Sequence, residues 1–91
     1  MQNSPRVSLE HWRAMIAVVD AGGYAAAAEA LGKSQSTVSH AIQRLEQALG
    51  TAVFKIQGRR AVLTAVGEMA LRRARALLDE ASDIERMATT L

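Results

Sequence analysis

Tyr24-Ala-Ala-Ala-Ala-Glu-Ala-Leu-Gly-Lys-Ser-Gln-Ser-Thr-Val-Ser-His-Ala-Ile-Gln-Arg-Leu-Glu-Gln-Ala-Leu-Gly50 holds two helical runs separated by one tight turn. The first, Tyr24 to Leu31, is nearly all alanine, a strong helix former small enough to let a neighbouring helix approach closely. Gly32-Lys33 makes the turn, because glycine accepts the left-handed conformation that ends a helix. Ser34 is placed to cap a second run from Gln35 to about Leu49, its hydroxyl accepting from a first-turn N–H. Val38, Ile42, Leu45 and Leu49 recur at helical spacing and form the expected buried stripe of that run, and Gly50 stops it. Two short helices joined by a glycine turn are the outline of a helix-turn-helix.

Upstream, residues 1–7 read as a loose lead-in. Ser8 is a good N-cap, and Leu9, Trp12, Met15, Ile16 and Val19 then recur at helical spacing until Gly22-Gly23. Downstream the period changes. Ala52 to Ile56 and Ala61 to Leu63 are short apolar, partly β-branched runs joined by Gln57-Gly58-Arg59-Arg60, which predicts a β-hairpin with a basic tip. Thr64 is placed to cap a last long helix from Ala65 to roughly Thr89. The expected fold is mainly α: three helices, a hairpin wing and a long helix. It divides into a helix-turn-helix unit over residues 1–64 and a long helix over 65–91.

With 91 residues and 9.8 kDa, the chain amounts to one domain, without room for separate catalytic and cofactor domains. The absence of cysteine rules out disulfides, thiolate metal sites and a cysteine nucleophile. His11 and His40 are the only imidazoles, too few for a metal site without cysteine, so neither a metal nor a cofactor is expected. An enzyme is the poorest reading: the acids are scattered, no serine has a base and orienting acid nearby, and no phosphate-cradling glycine loop exists. The longest apolar run of the first half, Ala14 to Val19, is six residues, against about 20 for a membrane span. With a polar amino terminus, the sequence predicts a soluble, cytoplasmic protein without membrane contact.

The net charge is only +2, but its distribution is uneven. Lys33 to Arg60 carries five basic residues and one acid, Glu46, so this segment holds +4 and the remainder −2. Opposite its apolar stripe the third helix shows Gln35, Ser36, Ser39, His40, Gln43 and Gln47, flanked by Thr37 and Arg44, with no acid before Glu46. A solvated helix face normally mixes both signs. A row of hydroxyls and amides suits a groove instead: Ser and Thr donate to phosphates, and Gln pairs with base edges. The helix start near Ser34 offers free N–H groups and a partial positive charge. Alone, Arg59-Arg60 at a hairpin tip is ordinary solvated charge; beside a carboxylate-free helix it reads as a phosphate clamp. Double-stranded DNA is the expected partner.

The segments Leu9 to Tyr24, Ala27 to Leu31 and Ser34 to Ile42, followed by Leu45 to Gly50, Phe54, Gly58 to Arg60 and Leu63 to Glu68, resemble in order and spacing the amino-terminal domain of the LysR-type transcriptional regulators. The resemblance covers about residues 8 to 88. It implies a winged helix-turn-helix whose third helix enters the major groove, with Ser34, Gln35, Ser36, Thr37, Ser39 and His40 at DNA-contact positions and Arg59 and Arg60 in the wing. Four residues depart from the family pattern. Gly23 stands where a capping Ser is common, Ala25 where Thr or Ser is, His40 where Arg is, and Ile56 at a frequently basic position. Weaker, more selective binding than the family norm is the expectation. At position 40 an imidazole remains able to contact DNA as a hydrogen-bond partner.

In the last helix Val66, Ala70, Ala74, Leu77, Ala81, Ile84, Ala88 and Leu91 are spaced 4, 4, 3, 4, 3, 4 and 3, close to a coiled-coil seam, and Leu78 widens it with Leu71. About 25 residues make ~38 Å of helix, longer than so small a domain covers. Ala70, Ala74, Leu77, Leu78, Ala81, Ile84 and Leu91 are therefore the expected homodimer contacts, and a two-fold pair would read an interrupted palindrome. Arg75 is spaced to pair with Asp79. Family members continue into an effector-sensing domain, so any small-molecule effector is expected to act through a domain outside this chain. Two other readings keep the same fold: a protein-interaction module that pairs through the long helix with a full-length regulator, and a winged helix of the MarR or molybdate-regulator kind.

Overall fold

The computed structural model describes residues 4–90. The elements run α1 (Leu9–Ala21), α2 (Tyr24–Leu31), α3 (Gln35–Leu49), β1 (Phe54–Gln57), β2 (Arg60–Leu63) and α4 (Ala65–Thr90). Local chemistry sets the helix boundaries. The Ser8 hydroxyl accepts from the His11 N–H at 3.3 Å while His11 Nδ1 accepts from the Ser8 N–H at 3.1 Å, a reciprocal cap on α1. Ser34 accepts from the Thr37 N–H at 3.1 Å and starts α3. Thr64 accepts from the Gly67 N–H at 3.0 Å and starts α4. Left-handed glycines at 22, 32 and 50 close the first three helices.

The core is aliphatic. Met15 from α1, Val38 and Leu45 from α3, and Val53 ahead of the wing are fully enclosed, and Ala27 and Ala28 let α2 lie close beneath them. Leu49 departs from the expected stripe: it is 39% exposed, and Ala41 takes the fourth buried place on α3 beside Val38, Ile42 and Leu45. Leu49 instead joins Trp12, Met69 and Leu77 around an apolar groove of about 360 Å³ between α1 and α4.

The first strand starts two residues later than its apolar run suggests, and the second starts one residue earlier. Val53 is buried just outside the strand: its carbonyl still accepts from the Thr64 N–H opposite it at 3.0 Å, but its own N–H goes to the Glu46 carboxylate at 2.9 Å instead of completing the pair. Strand pairing starts at Phe54↔Leu63 and ends at Gln57↔Arg60, so Arg60 is a strand residue and the loop is only Gly58-Arg59. A positive φ at Gly58 and none at Arg59 is the pattern of a type II′ turn, whose first central position calls for glycine.

The amino-terminal part of α4 packs on the domain's own core. Ala70 and Ala74, expected at a dimer contact, are 6% and 2% exposed there, so little of either is left for another chain. From Ser82 to Thr90 every residue is exposed. A radius of gyration of 14.0 Å, against about 12 Å for a compact chain of this length, records that projection. Leu91 lies outside the described residues.

Arg75 does not pair with Asp79 along its own helix. It grips Asp20, near the end of α1, through two hydrogen bonds of 2.7 and 3.2 Å. The Arg75 guanidinium holds the Asp20 carboxyl below its ordinary value, mainly by hydrogen bonding. A lowered folded-state value means stability that is present above the usual carboxylate range and lost as the pH falls through the lowered value. Both side chains are about half exposed, so the contribution is about 0–1 kcal/mol. Acid unfolding of Arg75→Ala, followed by circular dichroism, is expected to lack this part of the decline below about pH 4; superimposable acid limbs for the two proteins would contradict it.

Candidate nucleic-acid interface

With Val38, Ala41, Ile42 and Leu45 against the core, the opposite side of α3 is free. Gln35, Ser36, Thr37, His40, Gln43, Arg44 and Gln47 are exposed there and Ser39 is half-buried. Ser34, Ser36 and Thr37 form one hydroxyl cluster at the helix start: Ser34 Oγ lies 3.1 Å from Ser36 Oγ and 2.8 Å from Thr37 Oγ1. The Ser34 hydroxyl is thus committed to capping, while its two neighbours keep capacity for an outside partner. No described residue of α3 takes part in an ion pair.

Glu46, the lone acid of the segment, is structural. Its bond to the Val53 N–H ties the chain entering the wing to one flank of α3. Phe54 then meets Tyr24 edge-on, ring centres 6.0 Å apart, which fixes the wing root against the start of α2. Burial first, and the negative Glu46 second, push the Tyr24 phenol above its ordinary value, so it stays neutral and packs as a ring. At the start of α2 no side chain caps the helix from Gly23, in line with the missing serine there.

Arg59 sits at the turn and Arg60 opposite Gln57, both exposed and without a carboxylate partner among the described residues. Residues paired across an antiparallel ladder share a face, so Lys55 and Arg60 point to the same side of the wing. Lys55 is a wing cation that the sequence reading counted only as charge; its two-residue spacing from Gln57 was the signal. Ile56 is 70% exposed at the position that lacks a basic residue. On the other flank of α3, an open groove of about 620 Å³ is lined by Glu10, His11 and Arg13 of α1, Lys33 of the turn, and Thr37 and His40 of α3. Arg13 pairs with Glu10 at 3.4 Å there. Among the described residues no cluster of three potential metal ligands occurs, and no single helix is long and apolar enough to cross a membrane.

A helix-turn-helix whose second member bears an acid-free polar face, with an unpaired basic hairpin alongside, is a winged helix-turn-helix of the nucleic-acid-binding class. Residues 9–68 match the family described as bacterial regulatory helix-turn-helix protein, lysR family. The chain belongs to this family and carries its helix-turn-helix DNA-binding domain.

The probable HTH-type transcriptional regulator YhaJ of Escherichia coli K12 is 37% identical over 91 residues, all of this chain and 30% of that protein. A probable nitrogen assimilation transcriptional activator of Synechococcus elongatus is 39% identical over 85 residues, covering 89% of this chain and 27% of that protein. The chain thus spans about three tenths of the length of the curated relatives it matches. Among solved structures, the CbnR DNA-binding domain in complex with DNA superposes with a TM-score of 0.86 at 32% identity, covering 92% of this chain and 97% of that one. The BenM DNA-binding domain bound to its catB site gives 0.87 at 28% identity, with 92% and 94% covered.

Proposed function

We propose that the chain binds DNA sequence-specifically as a homodimer on an interrupted palindrome and regulates transcription, in the cytoplasm at the nucleoid. Residues 1–64 form the reading unit and 65–91 the pairing helix. The observation that carries this reading is the carboxylate-free face of α3 lying beside a wing whose arginines have no acid partner among the described residues. Gln35, Ser36, Ser39 and Gln43 read base edges from the major groove. Thr37, His40 and the Ser34 end of α3 face phosphates on one side, and Arg59 and Arg60 hold the backbone from the wing. The second copy pairs along α4 through Leu77, Leu78, Ala81 and Ile84, and covers the apolar groove at Leu49 and Met69. Any small-molecule effector acts through a domain outside this chain.

A salt titration on random duplex DNA tests the assignment. Arg59→Ala/Arg60→Ala is expected to flatten the slope of log K against log salt by roughly 0.9 per phosphate contact removed. Gln35→Ala is expected to leave this non-specific slope unchanged while weakening binding to a selected operator by about 1–3 kcal/mol. Absence of salt-dependent binding by the unmodified chain would refute the reading and favour a protein partner for α4.

A further inference from the structure

We propose that Arg6, ahead of α1, and Arg44 of α3 form a second phosphate-binding edge, on the flank of α3 away from the wing, which seats the DNA backbone across the groove from Arg59 and Arg60. This inference rests on the DNA-binding reading and extends its footprint to a segment that precedes the matched family region at residues 9–68.

The segment is anchored. Arg6 donates through Nη2 to the Ala48 carbonyl at 3.0 Å, in the last turn of α3. Free carbonyls and the negative end of the helix dipole favour a cation there. One bond leaves most of the five guanidinium donors of Arg6 unused. Arg6, Arg44, Gln47 and Ala48 together line a cavity of about 180 Å³. Neither arginine has a carboxylate partner among the described residues, where the cations found in ion pairs are Arg13, Arg75 and Arg86. Two guanidinium groups lining one small cavity repel each other, and an anion between them reverses that sign. Phosphate is the anion whose oxygens match two such forks at once.

Placement on the helix supplies the second argument. At about 100° per residue, Arg44 and Ala48 point about 160° away from Glu46, the residue that ties down the wing. The wing and the Arg6–Arg44 edge therefore flank α3 on opposite sides, and Gln43 and Gln47 stand on the exposed face between them. A helix in a major groove about 12 Å wide has a phosphate backbone on each side. The wing faces one; the arginine pair faces the other.

The test is fluorescence anisotropy on a random-sequence duplex over a range of salt, with Arg6→Ala/Arg44→Ala, the charge-retaining Arg6→Lys/Arg44→Lys, and Arg72→Ala/Arg86→Ala on α4 as a charge-matched control. The alanine pair is expected to flatten the slope of log K against log salt by about 1.8, two contacts at 0.9 each. The lysine pair is expected to keep most of the slope and the α4 control all of it. A wild-type slope in the alanine pair would overturn the proposal and leave Arg6 as a cap on α3. So would equal flattening in the control, which would mean that only net charge matters. No salt-dependent binding by the wild type would remove the DNA-binding reading itself, a distinct outcome.

Discussion

Gly67→Ala is expected to cost the domain about 2–3 kcal/mol, although an alanine in the first turns of a helix is normally a gain of up to about 1 kcal/mol. Gly67 is buried where α4 crosses the segment entering the wing. A methyl group there would overlap the Val53 carbonyl oxygen and lie 3.0 Å from both the Val53 carbonyl carbon and a Leu63 methyl. The Val53 carbonyl cannot step aside freely, because it accepts from the Thr64 N–H, and the Val53 N–H is held by Glu46. Relief would have to come from moving α4 off the core, which would expose Ala70 and Ala74. For a domain of 91 residues, with a total stability of about 5–14 kcal/mol, the loss is a large fraction. Urea unfolding checks it: a midpoint well below wild type with an unchanged m-value is expected, while Glu68→Ala next to it stays close to wild type. A neutral or stabilising Gly67→Ala would show that α4 does not approach Val53 this closely.

The same knot of contacts separates what the sequence could disclose from what it could not. Helix starts at Ser8, Ser34 and Thr64, and stops at the glycines, were legible because a cap acts within three or four residues. The acid-free face of α3 was legible because helical period alone decides which residues share a side. The extent of the hairpin was not, since the Val53 N–H is claimed by Glu46 on α3 and the ladder stops one pair short, at Phe54↔Leu63. Arg75 went to Asp20 and not Asp79 because a packed partner on α1 outcompeted a solvated one on its own helix. Arg6 carried no local signal, its partner being 42 residues away. Along α4 the period identified a stripe without saying what covers it. Ala70 and Ala74 turned out to face the domain's own core, and the exposed part of the stripe begins at Leu77.

These ties also link reading to pairing. Glu46 joins α3 to Val53, Val53 joins Thr64, and Thr64 caps the helix that carries the proposed dimer contact. The angle between the recognition helix and α4 is therefore set by short polar contacts, so pairing two copies of α4 would fix the separation of two recognition helices.

Leu77→Glu/Ile84→Glu is expected to abolish that pairing and to lower affinity for a two-half-site operator by about 10²–10⁴, the range lost when linked binding events become independent. Leu77 is 43% and Ile84 56% exposed, so the substitutions leave the core of a single copy intact. In a pair each fully buried Leu or Ile contributes about 1.5–3 kcal/mol, and two-fold symmetry counts each twice. Replacing them places four carboxylates at the seam, where Asp79, Glu80, Asp83 and Glu85 already concentrate negative charge nearby. Sedimentation equilibrium is expected to give a mass near 9.8 kDa for the variant and twice that for the wild type. Binding to a single half-site should change little, because no α3 or wing residue is touched. Equal affinity of variant and wild type for the two-half-site duplex would place the pairing surface elsewhere. A uniform loss on both duplexes would instead mean that α4 supports the reading unit directly, the one way in which its exposed stripe could matter without a second copy.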